Sequence, residues 1–285
     1  MEERRAREGL MPARAGDPKA PTAEGSAPDP GLAGVDDRPV PGIDNGYMAG
    51  YRVRFDEAGA DGGVRTGSLL RYAADIAWRH SEHLGFDRQW YTDRGRWWVV
   101  RSADLTIVHP IPMGAMLRLA TAVIGHRRIW ARRRGEFFLA DGSLVAVAVV
   151  DWVLVDERGR ILRIPDDFGG AFPNPELEGE ILRVAKEPVP SDATTLEIRV
   201  RPQDLDPMGH VNNAAYVDWV EEVIGASGSA GSTTSVPRRI TIEYAASAEI
   251  GDRLTAAAWS TDGGWSVRLI RRSDGAELVR AHVEP

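Results

Sequence analysis

The chain contains no cysteine. Disulfide frameworks, thiolate–metal sites and cysteine nucleophiles are therefore all excluded. Lysine is almost missing too: Lys19 and Lys186 stand alone among 35 basic residues, and arginine supplies the rest. Against 42 acidic residues the formal charge is −7, so no overall cationic surface exists to hold nucleic acid. Long apolar runs are lacking as well. The most apolar stretch, Leu144 to Val155, is interrupted by Asp151 and is too short for a membrane span. Met1-Glu2-Glu3-Arg4-Arg5 has no apolar signal core, and Glu2, Glu3 and Glu8 fit an acid-poor transit peptide badly. A cytoplasmic protein is expected.

Residues 1–46 have few large apolar side chains and are rich in Pro, Ala, Gly and charge. Burial there cannot offset the entropy of ordering, so a disordered tail is expected. The character changes at Tyr47. Tyr51, Val53 and Phe55 alternate like a strand, and a turn rich in glycine follows (Gly59, Gly62, Gly63). Leu69, Leu70, Ala73, Ile76, Ala77, His80 and Leu84 then recur at helical spacing, with Gly85 as a stop. Strand patterns predict elements at 97–108, 116–124, 130–139 and 144–155, with breaks near Gly125 and at Asp141-Gly142 that suit an antiparallel meander.

Prolines and acids mark 169–192 as a linker, after which the same order restarts. A strand at 194–201, a helix at 211–225 and strands near 238–244, 253–260, 264–272 and 276–283 complete a second copy. An offset of 147 places Val64 on Val211 and Val53 on Val200; offsets of 137 and 133 place Gly114 on Gly251 and Asp141 on Asp274. This register sets Gly59 opposite Asp206 and Gly63 opposite His210. The chain therefore reads as a duplicated fold: 47–168 keeps the shape and 193–285 keeps the chemistry.

That chemistry centres on Asp206-Pro207-Met208-Gly209-His210-Val211-Asn212-Asn213, between an alternating strand and a helical pattern. The turn delivers a carboxylate and an imidazole to a helix start, where unpaired amides can hold an anion. Such a set suits attack on a carbonyl. Asp, Pro and Gly are also ordinary residues for starting a helix, and Asn212 or Asn213 can serve simply as a cap.

The string Asp206 to Tyr216 resembles the hotdog-fold thioesterases, and two such units in one chain resemble the bacterial and plant fatty acyl-ACP thioesterases. Leu69-Leu70-Arg71-Tyr72-Ala73 with His80, Trp97 to Ser102, Asp151 to Asp156, Arg163-Ile164-Pro165 and Ile242-Glu243-Tyr244 carry the resemblance over about 47–283. It implies an α+β fold of tandem hotdog domains, each a long helix wrapped by an antiparallel sheet, forming a pseudo-dimer. It further implies release of free fatty acid from an ACP thioester without metal or organic cofactor, by a monomer or a homodimer of double-hotdog chains.

In the implied mechanism Asp206 acts as general base, or attacks directly to give an anhydride. His210 orients it, and amides at the start of the helix at 211 hold the oxyanion. Met208, Gly209, Val211, Asn212, Asn213 and Ser247 would support the site. Two positions depart from the family pattern: Met208 stands where an asparagine is usual, and Ser247 where a glutamate is usual. Ala248 replaces a cysteine of the plant enzymes. An acyl-CoA thioesterase and a non-catalytic acyl-binding protein are the alternatives. Dehydratases typically set a His against a carboxylate from the other copy, whereas Asp206 and His210 share one turn.

Arg132, Arg133 and Arg134 could steer an acidic carrier protein, or they could line a solvated hairpin. His80 and His83 lie at i, i+3 on the first helix without an evident third ligand, which favours a core or interface role for His80. Trp97, Trp98, Trp130, Trp152 and Trp219 are expected in the core or along an acyl tunnel.

Overall fold

A computed structural model describes residues 46–172 and 180–285. The tail expected at 1–46 lies outside the described residues except for Gly46. The first half runs β1 (Tyr47–Arg52), α1 (Thr66–His83), α2 (Arg88–Asp93), β2 (Arg96–Ile107), β3 (Met116–Arg127), β4 (Trp130–Leu139), β5 (Leu144–Asp156) and α3 (Asp166–Ala171). The second runs β6 (Thr194–Arg199), α4 (Asn213–Ala226), α5 (Gly231–Thr234), β7 (Arg238–Tyr244), β8 (Arg253–Thr261), β9 (Gly264–Arg271) and β10 (Glu277–Glu284). The first strand lies earlier than its alternation predicts, because Val53 and Phe55 already belong to the turn.

All ten strands join one sheet in the order β1-β3-β4-β5-β2-β7-β10-β9-β8-β6. Read outward from the centre, both halves show the same sequence of strands. The join is antiparallel, with Ser102 opposite Glu243, Ala103 opposite Ile242 and Leu105 opposite Ile240. Each half alone would leave a long unpaired edge there, and pairing the two removes it.

The long helices carry apolar stripes that the sheet covers. Leu69 and Ile76 of α1 and Val220, Val223 and Ile224 of α4 are fully buried, each worth roughly 1.5–3 kcal/mol against exposure. α1 packs on β1 and β3, α4 packs on β6 and β8, and the two helices meet each other. Gly67 permits that approach. A Cβ there would fall 2.2 Å from Asp218 Oδ1, whose carboxylate pairs with Arg71 at 2.6 Å.

The duplication is visible in the backbone. Gly59 N donates to Gly63 O at 2.8 Å, and Asp206 N donates to His210 O at 2.7 Å. Arg65 N to Glu57 O and Asn212 N to Asp204 O form a second matching pair. Gly62 and Gly209 adopt φ of 78° and 79°, in the left-handed region that favours glycine. An offset of 147 relates every one of these pairs.

Two buried carboxylates fasten the segment from Glu180 onward across both halves. Asp151 accepts from Arg132, Ser102 and the Leu182 amide, and Glu243 from Arg183, Arg280 and the Val184 amide. Both carboxylates are about 1% exposed, so removing their partners would leave a costly buried charge. No helix among the described residues is long and apolar enough to cross a membrane.

Candidate active site

The turn at 206–210 is organised by Asp206 itself. Its Oδ1 accepts the Met208 amide at 2.8 Å and the His210 amide at 3.1 Å, while its carbonyl accepts the Gly209 amide at 2.9 Å. Leu205 and Val211 bridge across the base of this small loop. Asp204, buried just before it, is held by Arg201. The second carboxylate oxygen of Asp206 makes no hydrogen bond among the described residues. His210 is exposed, and its imidazole shares no hydrogen bond or ion pair with Asp206. Asp206 thus orients the backbone of His210, and not its ring.

Helix α4 starts at Asn213 and not at 211, because Asn212 turns its side chain inward to cap the Ala214 amide at 2.9 Å. The Asn213 amide keeps no acceptor among the described residues, which leaves it available to an anion. Ser247 is exposed after β7, where its hydroxyl donates to Ala248 O. No hydrogen bond links it to Asp206 or His210 among the described residues.

Met208 reaches out of the second half to border a cavity of about 160 Å³ whose other walls belong to the first. Ala74, Ala77 and Trp78 of α1 form one side; Trp97, Trp98 and Trp152 of β2 and β5 form another. Tyr91 of α2 and Phe168 of α3 complete it. Neither short helix is expected from the hydrophobic periodicity. Their signals are local: Asp87 caps the Trp90 amide, and Pro165-Asp166-Asp167 starts α3. Trp97, Trp98 and Trp152 line the cavity, whereas Trp219 lies in the main core and Trp130 in a separate small cluster.

The three consecutive arginines do not form one surface. Strand alternation sends Arg132 and Arg134 to one face of β4 and Arg133 to the other. Arg132 pairs with Asp151 through two nitrogens, and Arg134 with Glu136. Arg133 is buried beside the cavity, donating to His80 Nδ1 at 2.9 Å. Burial takes Arg133 out of both readings, a carrier-steering patch and a solvated hairpin. His80 is a core residue, stacked on Tyr47 and edge-on to Phe172. Burial first, and then the Arg133 and His83 charges, lower its pKa to about 3. Burial lowers Arg133 to about 10, so it stays cationic at neutral pH.

The first half's own loop, Gly59 to Gly63, borders a second cavity of about 270 Å³ that includes Glu221 and Arg238 of the second half. Asp61 caps the Gly63 amide there. Glu221 accepts from Thr66 of α1, joining the two long helices. Burial raises its pKa to about 7 from 4.5, opposed by Thr66 and Arg238. Because the folded value lies above the unfolded one, Glu221's contribution is complete below 4.5 and lost as pH climbs through about 7. Glu221→Gln should flatten that dependence and stabilise the chain at about pH 8 by about 1–3 kcal/mol. Urea midpoints of both proteins at about pH 5 and about pH 8 check this; equal pH slopes would show that Glu221 is ionised throughout.

Comparison with known proteins follows the same division. The description "Acyl-ACP thioesterase N-terminal domain" matches residues 44–172, and "Acyl-ACP thioesterase C-terminal domain" matches 188–284. The chain is 24% identical over 260 residues to a chloroplastic acyl-(acyl-carrier-protein) hydrolase of Cuphea viscosissima, covering 84% of this chain and 62% of that protein. It is 24% identical over 200 residues to oleoyl-acyl carrier protein thioesterase 1 of Arabidopsis thaliana, covering 62% and 54%. The chain thus spans less than two thirds of these relatives.

Two solved structures share the fold. A protein described as an oleoyl thioesterase from Lactobacillus plantarum superposes with a TM-score of 0.75 at 19% identity, covering 86% of this chain and 96% of that one. The 12:0-ACP thioesterase of Umbellularia californica gives 0.70 at 20%, covering 85% and 97%. Both halves of the chain, in order, carry the family's two domains, and the whole is a tandem hotdog fold: the chain belongs to the acyl-ACP thioesterase family.

Proposed function

We propose that this protein is a thioester hydrolase that releases free fatty acid from acyl-ACP. The observation that carries this reading is the placement of the Asp206 loop of one half at the edge of an apolar cavity in the other. The acyl group would lie in that cavity and its thioester carbonyl near the loop. Family membership and the names of the relatives support ACP as the carrier.

In this reading 193–285 supplies the reacting groups and 47–168 supplies the pocket. Asp206, with one oxygen tied to two amides and the other unengaged, acts as general base for water or as the nucleophile. The Asn213 amide meets the developing oxyanion. His210 orients water or leaving group from the exposed side. Met208 touches the acyl group at the cavity edge, and Ser247 stands behind the helix start. The proposed setting is the cytoplasm, and the working species a monomer or homodimer of the whole chain.

The test is hydrolysis of matched acyl-ACP and acyl-CoA thioesters of one acyl group. The expected result is a kcat/KM at least about tenfold higher with ACP, since a folded carrier adds docking contacts that CoA lacks. Preference for CoA would reassign the carrier and make this an acyl-CoA thioesterase. Binding of both thioesters without release of acid would make it a non-catalytic acyl-binding protein.

A further inference from the structure

Among the described residues, the cavity walls carry more hydrogen-bond donors than acceptors to meet them. Arg133 is 8% exposed and borders the cavity. Its two hydrogen bonds, to His80 Nδ1 at 2.9 Å and Thr121 Oγ1 at 3.4 Å, use a single terminal nitrogen. No carboxylate pairs with it among the described residues. Other arginines are treated differently: partly buried Arg132 has Asp151, and buried Arg268 has Glu277 and the Ala185 carbonyl. Trp98 and Trp152 line the same space. Among the described residues the buried Trp152 indole N–H has no acceptor, and the buried Trp98 indole N–H has only the Tyr91 hydroxyl beside it. The Tyr91 hydroxyl, near Trp98, is shared with Ser81 at 2.9 Å.

A buried cation with no counter-charge costs several kcal/mol, and each unmet donor adds about 1–3 kcal/mol. A tunnel meant only for a hydrocarbon chain gains nothing from these groups. A ligand that brings lone pairs and negative charge satisfies them together. A space of about 160 Å³ also matches a compact group, since a cavity near this size holds benzene.

We propose that this cavity receives a carboxylate carried on a short acyl chain, bound by the Arg133 guanidinium and the Trp98 and Trp152 indole N–H groups. The inference rests on the thioesterase reading only for where the carboxylate comes from. It is either the far end of a dicarboxylic half-thioester, with the reacting carbonyl toward Met208, or the carboxylate of a released monocarboxylic acid.

The experiment uses the full chain and short probes of matched length. Calorimetric binding of hexanedioate, hexanoate and hexanol is measured for wild type, Arg133→Met and the pair Trp98→Phe with Trp152→Phe. Hydrolysis of hexanoyl-pantetheine and of the half-thioester of hexanedioic acid is measured alongside. Wild type should bind a carboxylate probe about 10- to 100-fold better than hexanol, and Arg133→Met should abolish that preference. The Trp→Phe variants, which keep an aromatic ring at both positions, should reduce it several-fold, and they remain informative should Arg133→Met fail to fold.

A kcat/KM preference for the hexanedioic half-thioester assigns the carboxylate to the substrate. Preferential binding of hexanoate without that kinetic preference assigns it to the product. Equal affinity for hexanol and both acids, unchanged in the variants, overturns the proposal. Carboxylate-selective binding in a protein that hydrolyses neither thioester would uphold the site and remove the thioesterase reading.

Discussion

Asp206→Asn is expected to lower thioester turnover by about 100- to 10,000-fold, the usual cost of losing a positioned acid/base group. Water is a poor nucleophile at neutral pH, so hydrolysis needs a placed base or a carboxylate that attacks for itself. The substitution separates chemistry from folding. Asparagine keeps an oxygen that can accept the Met208 and His210 amides, so the loop closes as before while the basic group disappears. His210→Ala should cost less, because the exposed imidazole orients water or leaving group and does not itself take the proton. Asp61→Ala should leave turnover near normal, since Asp61 caps Gly63 in the loop of the other half. Steady-state kinetics with circular dichroism on each variant decides the matter. Near-normal turnover in Asp206→Asn beside collapse in Asp61→Ala would move the active site to the Gly59–Gly63 loop.

Residues 193–285 expressed alone should be insoluble or self-associating. Removing the first half strips β2 from β7 and leaves residues Arg238–Tyr244 as an open edge beside an apolar face. It also removes α1 from α4, and it strips Arg101 and Arg183 from Glu243, a carboxylate about 1% exposed. A buried carboxylate losing such partners costs about 3–5 kcal/mol, a large share of a small domain's stability. Size-exclusion chromatography should show aggregates, or dimers in which a second β7 replaces β2. A stable monomer would show that the two halves fold independently and only dock.

The resemblance of the halves was legible because it rests on local signals. Alternation marks strands, a 3.6-residue period marks α1 and α4, and the glycine at the same place in each turn marks the loop. The offset of 147 read from Val64 and Val211 is the offset that relates the Gly59–Gly63 and Asp206–His210 hydrogen bonds. Arg133 was misread for a physical reason. A run of arginines suggests solvent, but a strand turns alternate residues to opposite faces, and Ala131, Gly135 and Phe137 already mark the inward one. The small residues on that face leave the room that Arg133 and the cavity occupy.

The sequence alone determined the order of elements, the duplication, the family and the loop that bears Asp206 and His210, all of which depend on neighbours along the chain. The tertiary structure decided what no spacing encodes. It showed that Asp206 grips the backbone of His210 and not its ring, and that Asn212 delays the start of α4. It also brought Met208 to the edge of a cavity walled by α1, α2, β2, β4 and β5 of the other half. Those walls are far apart in sequence, and Met208 meets them because β2 and β7 pair and α1 and α4 pack, so that placement needs both halves in one sheet.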